Sequence, residues 1–135
     1  MKTIFIQDRA ELDAQYDRLL PIFKQVPAAD EYRPEQLFEL ARKGTATIGY
    51  CEQDGQAVIA FAFEFIYYPN LTALNIIALA GHRFETVAAA LLEKLKVFAK
   101  LAGADCIEAL CIDGVARLLT RYGFQKSYTQ VRVRV

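Results

Sequence analysis

At 135 residues, 54% of them hydrophobic, the chain has the size and apolarity of one domain with its own core, spanning 1–135, and it is too apolar for disorder. A domain of this length buries about two thirds of its unfolded surface, so it needs neither a metal nor a disulfide to fold. Sixteen basic residues balance sixteen acidic ones. That excludes the broad positive field of a nucleic-acid binder, and no apolar run is long enough to span a membrane.

The first strand is predicted over residues 2–7, and its apolar run is too short for a signal peptide. The chain is therefore expected in the cytoplasm. Leu12, Tyr16, Leu19, Leu20 and Phe23 recur at helical spacing and predict a helix over 9–25. Pro34 suits the first turn of a second helix, 34–43, with Leu37, Phe38 and Leu40 on its apolar side and Gly44 as its stop.

Strands follow over 45–52 and 56–67, joined at Asp54-Gly55, a strong hairpin signal. After a turn at Pro69-Asn70, residues 72–80 form a nearly continuous apolar strand, as expected of a central strand covered on both faces. The longest helix is predicted over 84–101, with Val87, Leu91, Leu92, Leu95, Phe98 and Ala99 facing inward. A strand over 105–111, a short helix over 114–121 capped by Asp113, and a last strand over 124–135 complete the chain. In that last strand Val131, Val133 and Val135 alternate with Arg132 and Arg134, giving one buried and one wet face. The order predicts an α/β (α+β) fold with a mixed sheet covered by about four helices.

Few residues carry chemistry by type alone. His82, the one histidine, follows the central strand and reads as a base, an anion contact or an exposed loop residue. Glu64 interrupts the apolar run 60–68, and reads either as a general base or as a residue at the sheet's open end. Glu108 has the same two readings. Arg132 and Arg134 read as a solvated strand face or a contact for an acidic partner. Cys51, Cys106 and Cys111 form no Cys-x-x-Cys pair and lie in strand-like runs, which fits buried thiols in a reducing compartment. No ligand cluster for a metal is present in the sequence.

The element order, the segment Gly114-Val-Ala-Arg-Leu-Leu-Thr-Arg-Tyr-Gly-Phe-Gln-Lys126 and the strand–loop–long helix at 72–101 resemble the GNAT superfamily of acyl-coenzyme A-dependent N-acyltransferases. In overall pattern the chain is also similar to small GNAT-like proteins of phages and prophages. The resemblance implies a GNAT-like, mostly antiparallel central sheet. It implies acetyl-CoA or coenzyme A as cofactor and a small-molecule or protein amine as acceptor. It places the cofactor at Leu79, Ala80, Gly81, His82, Arg83, Phe84, Glu85, Thr86, Val87 and Ala88, with a Leu79 backbone group near the thioester, and it places the acceptor near Tyr67, Tyr68 and Asn70.

The sequence departs from the family at five points, two of them Phe84, where another glycine is common, and Ile112, where an asparagine often lies. Thr86 stands where the cofactor loop has its middle glycine, Glu85 puts a carboxylate in that loop, and Leu119 stands where a tyrosine often protonates the leaving thiolate. These departures leave a second reading open: a GNAT-like fold that has lost catalysis and serves in binding or assembly, as a homodimer or a partner complex.

Overall fold

The computed structural model describes residues 1–27 and 29–135. Its elements are β1 (Lys2–Phe5), α1 (Arg9–Phe23), α2 (Pro34–Arg42), β2 (Thr47–Gln53), β3 (Gln56–Tyr67), β4 (Thr72–Gly81), α3 (Phe84–Leu101), β5 (Cys106–Ala109) and α4 (Asp113–Thr120). Short-range chemistry sets most of these boundaries. The Asp8 carboxylate accepts from the Glu11 amide (2.8 Å) and caps α1. Pro34 opens α2, and Gln36 reaches back to the Arg33 N–H (2.7 Å). Asp54 and Gly55 both have positive φ (53° and 77°), the requirement of a tight hairpin turn between β2 and β3.

The strands form one sheet in the order β1-β2-β3-β4-β5, antiparallel except for the parallel pair β4/β5, whose crossover is α3. Strand alternation builds a core on each face. Ile48, Tyr50, Ala60, Ala62, Ala78 and Ala80 pack with Leu12, Leu19, Phe23, Leu37 and Phe38 of α1 and α2. On the other face Ile59, Phe61, Phe63, Leu74 and Ile76 pack with Val87, Leu91, Leu92 and Leu95 of α3, and Tyr122 and Phe124 close that core from beyond α4. Arg18 fastens α1 to the hairpin through Glu52 (2.6 Å) and the Gly55 carbonyl (3.0 Å).

The structure corrects the sequence reading toward the C-terminus. The strand expected over 124–135 is absent: residues 125–135 have no regular structure and are exposed, with Val131 at 88% and Val133 at 82%. The alternation is real, but a strand needs a partner. Arg132 and Arg134 instead pair with Glu31 (3.1 Å) and Asp30 (3.5 Å) in the α1–α2 connection. β5 stops at Ala109 rather than 111, where its pairing with β4 ends at Ile76. Asp113 is the first helical residue of α4, not its cap, and Ile112 occupies the cap position.

Candidate functional site

The feature that organises the site is a wedge between β4 and β5. Pairing runs from Ala73–Cys106 to Ile76–Ala109 and ends there, while β4 continues to Gly81. The divergence coincides with a register shift against β3. Phe63 faces Ile76 and Ala62 faces Ala78, so Ile77 is the extra residue of a β-bulge. Past the bulge, antiparallel alternation decides where the backbone groups point. The His82 N–H donates to the Val58 carbonyl (3.0 Å), so the pairs Ala60–Ala80 and Ala62–Ala78 are the bonded ones. The N–H and C=O of Leu79 and Gly81 therefore face the gap. Gly81 sits at φ 133°, and a Cβ there would collide with the Val58 carbonyl, so its glycine serves the close approach of β3.

The face carrying α1 and α2 holds the polar groups nearest the wedge. Glu64, Asn75 and Glu108 lie side by side on β3, β4 and β5 and are all half-buried. The Tyr68 hydroxyl donates to Glu108 Oε1 (2.7 Å), and this bond raises its pKa above the ordinary phenol value. The Tyr32 hydroxyl donates to the Ile77 carbonyl (3.0 Å) and ties the α1–α2 connection to the bulge. Desolvation, then the Glu31 charge, raises the Tyr32 pKa and keeps it a donor. Sequence reasoning missed Tyr32 and Asn75. Asn75 could have been found as Glu64 was, as a polar interruption of an apolar strand. Tyr32 sits in no pattern, and only the fold carries it to β4.

At the far end of β4 the connection to α3 is two residues, His82 and Arg83. Arg83 takes a left-handed conformation (φ 60°), and its guanidinium donates to Gln53 Oε1 (3.1 Å). The Thr86 hydroxyl is engaged by the Arg83 carbonyl (2.8 Å), and Glu85 is exposed in the first turn of the helix. Val87 and Ala88 are core residues, and Phe84 packs edge-on against Tyr122 (centroids 6.1 Å). Leu119 is buried, with no polar group to offer.

The structure therefore divides the residues singled out in the sequence. Leu79 to Arg83 line the wedge and its end. Val58, the backbone partner of His82, lies six residues along β3 from Glu64, about 20 Å away. Glu64 and His82 thus belong to opposite ends of the site. Tyr68 joins Glu64 and Asn75 through Glu108, whereas Tyr67 falls by alternation on the α3 face and is exposed, and Asn70 lies exposed in the β3–β4 turn. All three thiols are pushed above the ordinary cysteine pKa, chiefly by burial, so none is an activated nucleophile.

No protein-family model and no curated protein sequence matches this chain. Solved structures do. The chain overlays a ribosomal-protein-alanine N-acetyltransferase from Brucella melitensis biovar Abortus 2308 over all of both chains, at 16% identity and a TM-score of 0.76. It overlays an aminoglycoside 6'-N-acetyltransferase from Acinetobacter haemolyticus over its whole length and 98% of that chain, at 16% identity and a TM-score of 0.77. A predicted acetyltransferase from Clostridium acetobutylicum with acetyl-CoA is similar over 98% of this chain and 96% of that one, at 16% identity and a TM-score of 0.69. At such identities the likeness is one of fold: a five-stranded, mostly antiparallel sheet with four helices, as in GNAT acetyltransferases. No helix among the described residues is long and apolar enough to cross a membrane.

Proposed function

We propose that this chain is an acyl-coenzyme A-dependent N-acyltransferase acting on a small-molecule or protein amine. The observation that carries the reading is the wedge between β4 and β5, with the free backbone groups of Leu79 and Gly81 turned into it. An extended amide-bearing arm can pair with those groups as an added strand would. The fit is weaker at the α3 N-terminus, where Glu85 opposes an anion. Acyl-coenzyme A, when bound, supplies the activated thioester.

The chain's own residues have distinct tasks in this reading. The Leu79 N–H holds negative charge as it develops on the acyl oxygen. Glu64, half-buried beside Asn75, takes the proton of the acceptor amine. Leu79 faces Phe61, three residues from Glu64, or about 10 Å along β3, which leaves room for the acceptor between them. Glu108 of β5 and Tyr68, just past the end of β3, orient the amine. His82 and Arg83, too far from Glu64 to share a proton with it, meet the phosphates. Leu119 offers no proton, so the thiolate is protonated by water.

Calorimetric titration with acetyl-CoA and with free coenzyme A tests the reading. Micromolar binding that weakens in Arg83→Glu, together with thiol release in the presence of an amine panel that falls at least a hundredfold in Glu64→Gln, is the expected result. Absence of binding at millimolar ligand would sink it. The second reading, a GNAT-like fold kept for binding or assembly, would then stand. It draws on two observations, the buried Leu119 and the carboxylate of Glu85 at the head of α3.

A further inference from the structure

Two segments make no backbone-to-backbone hydrogen bond to any described residue: 29–32, in the α1–α2 connection, and 125–135, beyond α4. Each holds the other by side-chain charge. Arg132 donates to Glu31 (3.1 Å), and Arg134 pairs with Asp30 (3.5 Å). The Arg132 guanidinium lowers the Glu31 carboxyl pKa and so keeps that partner ionised. The next residue, Tyr32, is half-buried against the α1/α2 core, and its hydroxyl donates to the Ile77 carbonyl of β4 (3.0 Å).

The other end of the C-terminal segment is fixed across the wedge. The Phe124 N–H donates to the Leu119 carbonyl (3.3 Å), and its ring packs with the α3-side core. Lys126 pairs with Asp113, the first residue of α4 (3.5 Å). α4 follows β5, whereas Tyr32 grips β4. From Lys126 to Arg132 is six steps, about 20 Å of extended chain. The segment thus joins the element beyond β5 to the connection that holds β4, the two sides of the gap that opens after Ile76 and Ala109.

Charge sets this path. Residues 125–135 carry Lys126, Arg132 and Arg134 and no acid, and each cation has an anionic partner. Tyr128, Val131 and Val133 lie in solvent, so no apolar packing helps to hold them. The six charged side chains are 43% to 89% exposed. Such pairs are weak, and salt screens them, the Debye length falling to about 3 Å at 1 M. The bond from Tyr32 to Ile77 is between neutral groups and part-buried, so salt reaches it only through its charged neighbours. We propose that the C-terminal segment is a salt-sensitive strap whose arginines hold Asp30 and Glu31 and thereby keep Tyr32, a positioning residue, on the Ile77 carbonyl at the bulge. Its bearing on coenzyme A rests on the proposed function; the strap itself is a property of the free protein.

Hydrogen exchange of the free full-length chain, followed by mass spectrometry, therefore tests the strap whatever the wedge binds. Arg132→Glu/Arg134→Glu should speed exchange about fivefold, the worth of one hydrogen bond, in peptides covering 29–36 and 74–81, with the α3 peptides unchanged. Adding Asp30→Arg/Glu31→Arg should restore wild-type protection in both, which a general loss of fold would not allow. Wild type in 1 M sodium chloride should match the arginine variant, a comparison that needs no substitution. Tyr32→Phe should release the 74–81 peptide, and the arginine reversal added to it should bring no further change there. Faster exchange confined to 125–135, or protection of 74–81 unchanged by salt, would overturn the proposal. Failure of the reversed pairs to restore protection would overturn it too, as would additive effects of Tyr32→Phe and the arginine reversal on 74–81.

Discussion

Gly81 and Cys111 show how position decides what a residue can do. Gly81 closes β4 at the mouth of the wedge, where a loop glycine would ordinarily be read as room for a phosphate. The space beside it is instead filled by the Val58 carbonyl of β3, and its φ of 133° excludes L side chains. Gly81→Ala is expected to destabilise the fold by about 2–4 kcal/mol in urea denaturation, far more than an exposed loop substitution. Cys111 is exposed, yet burial of its sulfur and the Asp113 charge raise its pKa. A raised thiol pKa means less thiolate at any given pH. Its alkylation by iodoacetamide should therefore be slower at pH 8 than that of a free cysteine, and should keep rising beyond the ordinary thiol range.

At the scale of elements, the head of α3 is where sequence and site pull apart. The helix was legible because apolar residues recur at its spacing from Val87 to Ala99. The hairpin at Asp54-Gly55 was legible because its turn chemistry is local. What could not be read is whatever depends on two distant segments meeting: the bulge at Ile77, the reach of Tyr32 to that carbonyl, and the failure of 125–135 to find a partner strand. The valine–arginine alternation predicted a strand correctly as a propensity and wrongly as an element, since pairing is a property of the neighbour. Glu85 was legible as a misfit, and its exposure in the first turn gives it a measurable effect. On the proposed reading, Glu85→Gln should tighten coenzyme A binding about two- to fivefold at low ionic strength, the worth of one charge at a helix terminus, and added salt should shrink the gain.

The whole molecule is two cores separated by one sheet. Leu37 belongs to the α1/α2 side and Leu91 to the α3 side. Each replaced by Ala should cost about 2–5 kcal/mol, and the double variant should show the sum to within about 0.5 kcal/mol, because the sheet keeps the two cavities from sharing neighbours. A double variant much more stable than the sum would mean that the faces communicate through the strands.

The bulge makes Ile77 a spare residue in a literal sense. Remove it, and Glu64–Asn75, Phe63–Ile76 and Ala62–Ala78 become consecutive rungs of an unbroken ladder, with every remaining side chain still on its present face. A flat sheet could be written with one letter fewer. The cost of the deletion is its packing and the bond from Tyr32, the latter about 1 kcal/mol. What would vanish is the crevice, as β4 realigns with the chain beyond Ala109. On the proposed reading the shortened protein should bind no coenzyme A in calorimetric titration, at a cost of about 2–5 kcal/mol for the lost packing of Ile77.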